Sequence, residues 1–190
     1  MTAKEFKLKT IEDCIRTILS TIGDDPTREG LIDTPKRVAK MYLNELTQGI
    51  GADLEATLSA TFSNQGKSEL VIVKDIPFYS LCEHHLVPYY GKAHIGYIPS
   101  RKIVGISKLA RLVILAANTL SIQEELTSKV ADTICKVLEP LGVIVVIEAE
   151  HMCMASRGVK TPGTKTITSA VRGLFYDDSS ARAEFLSLIK

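Results

Sequence analysis

Cysteine and histidine are concentrated in the segment SLCEHHLVPYY, residues 80 to 90. The chain has 4 cysteines and 4 histidines, and Cys82, His84 and His85 lie within four consecutive positions. Residues 82 and 85 are three positions apart, so a turn would direct both side chains to one point, whereas a straight strand would direct them to opposite faces. Pro88 follows closely and favours a turn. A thiolate and an imidazole that meet at one point suit zinc.

A second cluster of the same residue types ends the segment GVIVVIEAEHMC, whose β-branched run predicts a strand. Alternate residues of a strand share a face, so His151 and Cys153 are expected to project to the same side. If this strand lies beside the turn, Cys82, His85 and Cys153 form a site with three protein ligands. One coordination position is then left for water, which is typical of catalytic rather than structural zinc.

Two histidines are left over beside this site, and their imidazoles are suited to proton transfer: His84 and His151. Other interpretations remain open for the cysteines. Cys82 and Cys153 are also compatible with burial in a core or with a redox pair. The C-x-x-H spacing alone is a weak signal, and the second cluster is what makes a metal site an equal alternative.

Three further residues of these types are predicted to be structural. Cys14 and Cys135 fall on the apolar faces of predicted helices, so we expect both in the core. His94 lies in the middle of a predicted strand and has no partner nearby in the sequence.

Pairs of basic residues indicate a second type of binding. Lys108 and Arg111 lie in the first turns of a predicted helix that Ser107 opens, and a helix N-terminus already favours phosphate. The same spacing recurs near the start of another helix and after the second cluster, at Arg37 and Lys40 and at Arg157 and Lys160. Each residue alone is typical of a solvated surface. Together they make a polyphosphate a candidate substrate, and without a G-x-x-x-x-G-K-[ST] motif the site is not a P-loop.

Glu124 has two interpretations that sequence reasoning alone leaves open. It is the reciprocal partner in a predicted capping box, Ser121-x-x-Glu124. Its carboxylate is also suited to accept two parallel N–H bonds from a planar edge such as that of guanine.

Composition limits the class of protein. The 190 residues are 45% hydrophobic and 24% charged with a formal net charge of +1, which is typical of one soluble globular domain and unlike a general nucleic-acid binder. No apolar run approaches the roughly 20 residues of a membrane span, and the N-terminus has no apolar signal core. We therefore expect a cytoplasmic protein without nucleic-acid or membrane partners.

Hydrophobic periodicity and the Gly and Pro positions predict the secondary structure. The predicted elements are helices over 10–22, 33–49, 107–120 and 121–138, strands over 70–78, 91–99, 142–153 and 165–175, and a last helix after residue 178 with Phe185, Leu186 and Ile189 facing inward. This order predicts an α+β fold, an antiparallel four-stranded sheet with helices on one face, preceded by an N-terminal helical pair. Open sheet edges make an oligomer plausible.

The motifs SLCEHH, GKAHIGYIP, GISKLAR, QEELT and EHMCMASRGV, with EGLIDTPKRVAKMY upstream, resemble the GTP cyclohydrolase I family from about residue 10 to the C-terminus. The resemblance implies that GTP and water are the substrates. The imidazole ring is opened at carbon 8, formate is released, and 7,8-dihydroneopterin triphosphate is formed. It also implies the tunnelling fold, a ββααββ unit that assembles into a ring, as a homodecamer of two pentamers with active sites between subunits. Residues 1–66 would be an N-terminal helical region with a connecting loop, and 67–190 the catalytic domain with its C-terminal helix.

The resemblance also implies a role for each matching residue. Cys82, His85 and Cys153 would hold Zn²⁺, and His84 and His151 would be the acid/base pair. The guanine-recognising positions are Gln123 and Glu124, and the triphosphate-binding positions are Ser107, Lys108, Arg111, Arg157, Arg37 and Lys40.

The sequence differs from the family pattern in two places, and two alternative functions remain. The segment AANTLSI, at 116–122, and Glu125 replace more arginine-rich stretches, which puts local helix or subunit contacts in doubt. One rival is another tunnelling-fold enzyme, such as a nitrile reductase with a cysteine nucleophile and no zinc. The other is a non-catalytic binding protein with a closed, structural zinc site.

Overall fold

A computed structural model describes residues 1–66 and 68–190. The chain divides into two compact units, Met1–Gln48 and Gly49–Lys190. The expected start of the catalytic domain falls on Lys67, which lies outside the described residues. None of the described helices combines the length and the apolar character needed to cross a membrane.

The first unit is helical. It contains α1 (Ala3–Thr21), α2 (Thr34–Met41) and a π-helical turn, Tyr42–Leu46. The first helix begins earlier than predicted because Thr2 and Glu5 form a capping box, in which each side chain accepts from the other residue's backbone N–H. The second helix begins near Asp33, as predicted, but it gives way to the π-helical turn well before Gly49.

The prediction that Cys14 is a core residue was wrong. Its side chain is exposed, and no residue of α1 is buried. The apolar positions of α1 do recur at helical spacing. A unit of this size nevertheless encloses little core, because the fraction of surface buried on folding is smaller in shorter chains.

The second unit is built on a five-stranded sheet of order β5-β2-β3-β6-β7. Its elements in chain order are a 3₁₀ turn (Glu55–Leu58), β1 (Thr61–Ser63), β2 (Val71–Cys82), β3 (Pro88–Ile98), β4 (Lys102–Val104), α3 (Ile106–Ala117), β5 (Leu120–Ser121), α4 (Gln123–Leu138), β6 (Gly142–His151), α5 (Met152–Ala155), β7 (Lys165–Gly173), α6 (Leu174–Asp177) and α7 (Ser179–Ile189). The four long strands are antiparallel, whereas the short β5 is parallel to β2. Strands β1 and β4 form a separate pair. The fold is thus mixed α/β. The sequence missed the short strands β1, β4 and β5 and the short helices α5 and α6.

The main core lies between the sheet and the two long helices. Alternate residues of β6, Val143, Val145 and Ile147, are fully buried in this core, where α4 packs on β6 and α3 packs on β2. Cys135, which was predicted to be a core residue, packs against this cluster but is only partly buried. Its burial raises the pKa of the thiol.

The prediction that helices cover only one face of the sheet was wrong, because helices pack on both faces. The intervening residues of β6, Ile144 and Val146, pack with Phe175 and Phe185 from α6 and α7 on the other face. Gly96 permits this approach, since a Cβ there would lie 2.6 Å from the Phe185 ring.

The inward side of the last helix was predicted only in part. Phe185 is fully buried and Ile189 is partly buried, but Leu186 is exposed. A short helix that packs on a sheet buries a narrow stripe, and the residue after Phe185 falls outside it.

His94 is structural, as predicted. It is buried in β3, and its Nδ1 accepts from the backbone N–H of Asp75 at 3.2 Å. Asp75 has a positive φ of 59° at the β-bulge between Val73 and Ile76. The histidine therefore pairs a backbone group that the bulge takes out of the strand ladder.

The predicted capping box at Ser121 was wrong. Helix α4 begins at Gln123, its N-cap is Ile122, and no side chain caps it. Ser121 instead belongs to β5, which pairs Leu120 with Leu81 and Ser121 with Cys82. Strand pairing directs the Ser121 hydroxyl into the protein, where it bonds to other side chains.

Candidate functional site

The structure brings together the three side chains that were predicted to hold a metal. One ligand atom each from Cys82, His85 and Cys153 lies within 4.8 Å of the others. Cys82 is the last residue of β2, His85 lies in the turn that leads to β3, and Cys153 follows β6. Strands β3 and β6 are paired with Tyr89 opposite His151, which sets the two distant sequence clusters side by side.

The turn at 83–86 explains the spacing of the first cluster. The Cys82 carbonyl accepts from the N–H groups of His85 at 3.3 Å and Leu86 at 2.9 Å, and the Cys82 N–H donates to Val87 O at 2.9 Å. Leu86 has a positive φ of 55°, which reverses the chain. The predicted turn is present, and it allows residues 82 and 85 to reach one point.

Cys153 reaches this point by a different route from the one predicted. Strand β6 ends at His151, and Cys153 lies in the helical turn α5. The prediction that His151 and Cys153 share a strand face was therefore wrong, because residues 152–155 form a helical turn as soon as the pairing of β6 with β3 ends. The two side chains consequently have different surroundings.

The donor set fits a metal of the zinc type. Two thiols and one imidazole are the ligand types that zinc prefers, and the described residues add no fourth cysteine, histidine or carboxylate to the group. Burial, followed by the neighbouring Cys82, raises the pKa of the Cys153 thiol, and a cation between the two sulfurs would favour the thiolate instead. Three ligands leave a position open, as in catalytic sites.

A cavity of about 310 Å³ adjoins the cluster. Its lining combines candidate ligands with the predicted acid/base and guanine-binding residues: Cys82, His84, Ser121, Ile122, Gln123, Glu124, His151, Cys153, Met154 and Thr166. The His84 side chain is 63% exposed. Its Nδ1 lies 3.8 Å from the Cys82 Sγ, and its Nε2 lies 3.8 Å from the Glu83 carboxylate.

His151 is held far more closely than His84. Its Nε2 lies 2.8 Å from the Oε1 of Gln123, and its ring stacks on Tyr89 with centroids 4.7 Å apart and planes within 2° of parallel. Burial lowers the pKa of His151, against a smaller opposing effect of Glu124. The cavity wall thus contains an imidazole that favours its neutral form.

A chain of hydroxyl groups supports the stacked tyrosine. Ser80 donates to Thr119 O at 3.3 Å, so its oxygen is left to accept from Ser121 at 3.3 Å. Ser121 in turn accepts from the Tyr89 hydroxyl at 2.8 Å. Burial raises the pKa of Tyr89, so its hydroxyl remains a donor and keeps the ring beneath His151.

The predicted phosphate-binding residues are more scattered. Arg157 is near the cluster, where its Nη1 donates to the Nε2 of His85 at 2.8 Å. Ser107, Lys108 and Arg111 lie in the first turns of α3, as predicted, but Gly105 rather than Ser107 is the N-cap, and none of the three lines the cavity. The remaining pair, Arg37 and Lys40, lies on α2 in the first unit and is exposed.

Sequence reasoning missed three residues that support the residues lining this cavity. Tyr89 and Ser121 support His151, and Thr168 contacts Gln123. Their types are common in strands, and only the register that places Tyr89 opposite His151 reveals them.

Comparison with known proteins supports a specific family. The family model described as GTP cyclohydrolase I matches residues 11–190. GTP cyclohydrolase 1 of Brevibacillus brevis is 56% identical over 184 residues, covering 96% of this chain and 97% of that protein. GTP cyclohydrolase 1 of Geobacillus kaustophilus is 57% identical over 187 residues, covering 98% of each. Among solved structures, the archaeosine synthase QueF-Like in the apo form aligns with a TM-score of 0.47 and 17% identity over 57% of this chain and 97% of that chain, too little to support an argument.

Proposed function

The chain belongs to the GTP cyclohydrolase I family, an enzyme family that converts GTP to dihydroneopterin triphosphate, and we propose that the cavity beside Cys82, His85 and Cys153 is where it does so. The observation that carries this proposal is the meeting of these three side chains at a cavity that His84, His151 and Glu124 also line. A closed structural zinc site would need a fourth ligand, and it would leave these lining residues without a role.

The metal site of this proposal is Cys82, His85 and Cys153, and its donor set favours Zn²⁺. When bound there, the ion supplies Lewis acidity that lowers the pKa of water towards roughly 7. Arg157 contacts His85 from the side, so the guanidinium adds positive charge next to the site.

His84 and His151 are proposed as the groups that exchange protons with the purine. His84 is exposed on a turn and lies near the Cys82 sulfur, so it can approach a bound base from the open side. His151 is half-buried and has its Nε2 engaged by Gln123, so it acts from a fixed position. One mobile and one fixed imidazole suit a reaction in which a ring is both opened and rebuilt.

Glu124 is proposed to recognise guanine. It lines the cavity as the second residue of α4 and is exposed there. Its carboxylate can accept two parallel N–H bonds from the guanine edge. Gln123, which the resemblance places in the same task, has its amide engaged with β6, β7 and His151. Glu124 therefore carries the base recognition in this proposal.

The triphosphate is proposed to bind to basic residues from more than one copy of the chain. Arg157 lies beside the cluster, whereas Ser107, Lys108 and Arg111 do not line the cavity of their own chain. A ring of ββααββ units, extended to two pentamers as the resemblance implies, would bring such residues to a neighbour's site. The sheet order supports this, since β5 and β7 are its outermost strands. Arg37 and Lys40 are proposed as further phosphate contacts.

The division into residues 1–66 and 67–190, with catalysis in the second part, is proposed on the same basis. All residues that line the cavity belong to the second compact unit. A cytoplasmic location is likewise a proposal.

Formate release from GTP tests this function. Zinc-loaded protein is expected to release one formate for each GTP consumed. A chelator-treated sample should lose the activity and regain it with zinc, because the metal side chains lie at a cavity that is open to solvent. A zinc-loaded, assembled sample that binds GTP but yields no formate would contradict the proposal.

A further inference from the structure

Gln123 is an unusual residue in this wall because its whole side chain is bonded within the chain. It is 1% exposed. Its Nε2 lies 3.0 Å from the carbonyl oxygen of Ile147, 3.0 Å from that of Thr166 and 3.1 Å from the Thr168 hydroxyl. On its other side, Oε1 lies 2.8 Å from the Nε2 of His151. Both polar atoms of this amide are therefore already engaged within the chain.

The surroundings determine which end of the amide is which. Backbone carbonyls only accept hydrogen bonds, so the atom that faces Ile147 and Thr166 must be the NH₂ group. A flipped amide would place oxygen against two carbonyl oxygens. The Gln123 oxygen is therefore the atom that faces His151.

Two threonines close this arrangement into a ring. Thr127 donates its hydroxyl hydrogen to the backbone carbonyl of Gln123 at 2.7 Å, so its oxygen accepts from Thr168 at 2.6 Å. Thr168 is thereby a donor to Thr127 and an acceptor for the Gln123 amide. Each hydrogen bond in this cycle thus has a defined donor and acceptor, and these assignments agree with the orientation of the Gln123 amide.

The consequence concerns the ring of His151. An amide oxygen only accepts, so the Nε2 of His151 must carry a hydrogen. In the neutral imidazole, Nδ1 then keeps its lone pair. Stacking on Tyr89 holds the plane of the ring, and the Gln123 contact holds its rotation within that plane.

We propose that Gln123 is a positioning residue, which holds the imidazole of His151 in one orientation in the cavity wall, with the ring hydrogen on Nε2. This rests on the proposed function, in which His151 exchanges protons with the purine. It departs from the expectation for Gln123, because the effect of this side chain on GTP is exerted through His151 rather than through contact with guanine.

The kinetic test compares two variants of helix α4. Gln123→Met keeps the length of the side chain and removes the oxygen that faces His151. We expect kcat for formate release to fall about 10- to 100-fold while KM for GTP changes less than about 3-fold, since a misdirected base costs mainly the chemical step. The control is Thr133→Val, because Thr133 is buried in the same helix and its hydroxyl donates only to Lys129 O. Its kcat should match that of the unmodified protein.

A spectroscopic test reads the tautomer directly and needs no substrate. Zinc-loaded protein is labelled with ¹⁵N in its histidine rings and examined by solid-state NMR at a pH of about 8.5, where imidazoles are neutral. His151 is assigned by comparison with His151→Ala. We expect a protonated Nε2 and a bare Nδ1 in the unmodified protein, and a mixture of the two tautomers in Gln123→Met.

Several outcomes would overturn the proposal. A hydrogen on Nδ1 in the unmodified protein would do so even if Gln123→Met fails to fold. So would a Gln123→Met protein whose loss lies in KM alone, which would indicate contact with guanine, or whose tautomer is unchanged. If the unmodified protein releases no formate, the proposed function fails, but the NMR result still tests the Gln123 assignment by itself.

Discussion

His84 and His85 lie on an exposed turn, the turn wall, whereas His151 lies half-buried against Tyr89 and Gln123 at the end of β6, the strand wall. His84 and His151 both line the same cavity. The turn is held by backbone bonds to Cys82 and by the contact from Arg157 to His85. The strand wall is held by stacking and by hydrogen bonds through the core. Each wall contributes a histidine, but His84 is largely exposed whereas His151 is held by stacking and a hydrogen bond.

The unequal constraint on the two histidines indicates how the site divides its tasks. A histidine on a solvated turn keeps rotamer freedom, so it can follow a substrate, and a metal at Cys82, His85 and Cys153 would tie that turn to α5. A histidine locked by neighbours has already lost that freedom when the protein folded, so it is oriented before substrate arrives. We therefore expect changes in the turn wall to act through metal and substrate binding, and changes in the strand wall to act through stability and orientation.

The largest effect is expected where the metal joins the two walls. Cys153→Ser replaces a thiol by a hydroxyl, a much weaker zinc ligand, so zinc content after dialysis should fall well below one per chain and formate release should drop on the order of 10³-fold. Cys14→Ser is the matched control, because Cys14 is exposed on α1. Full zinc retention in Cys153→Ser would break the comparison, since the walls would then be joined in another way.

A smaller effect is expected from the turn wall alone. His84→Ala should lower formate release about 10²-fold, the typical contribution of a proton-transfer group, while zinc content stays that of the unmodified protein. His85→Ala, one residue along the same turn, should lose both. Metal analysis and formate assays on the same samples separate the two roles. Equal zinc loss in both variants would show that His84 is a ligand rather than a proton donor.

The smallest effect on activity is expected from Ser121, which supports His151 only through Tyr89. Ser121→Ala removes the acceptor that lies 2.8 Å from the buried Tyr89 hydroxyl, which should lower the free energy of unfolding by about 1–3 kcal/mol. Activity should fall only about 3-fold, because the ring still stacks on His151. Urea titration measures the first quantity and formate release the second. Ser187→Ala, an exposed serine of α7 with a local bond to Glu184, should change stability by less than about 0.5 kcal/mol.

The order of the main elements was predictable because it depends on local periodicity. The two N-terminal helices, the four long strands and the pair α3 and α4 each have enough alternating or helical apolar positions to be recognised. The short strands β1, β4 and β5 were missed, since two or three residues are too few to show a period. The second layer of helices was missed because periodicity does not tell which face of a sheet a later helix will cover.

The candidate metal cluster was largely predictable for the same reason. Residues 82 and 85 meet through a four-residue turn, and that geometry follows from their spacing and the proline after them. For Cys153 the residue was anticipated but not its route, because the end of β6 depends on where its pairing with β3 stops.

Residue types and their spacing along the chain identify the groups capable of the chemistry: thiols and imidazoles at turn spacing, a carboxylate at a helix start, and basic residues in pairs. Folding is what places Tyr89 beneath His151, directs the Ser121 hydroxyl to Tyr89 rather than to a helix cap, and turns the Gln123 amide inward. The two kinds of information act over different distances along the chain. Spacing along the chain controls what neighbours in sequence can do, whereas stacking, strand register and the direction of a hydrogen-bond network arise between residues that only folding brings into contact.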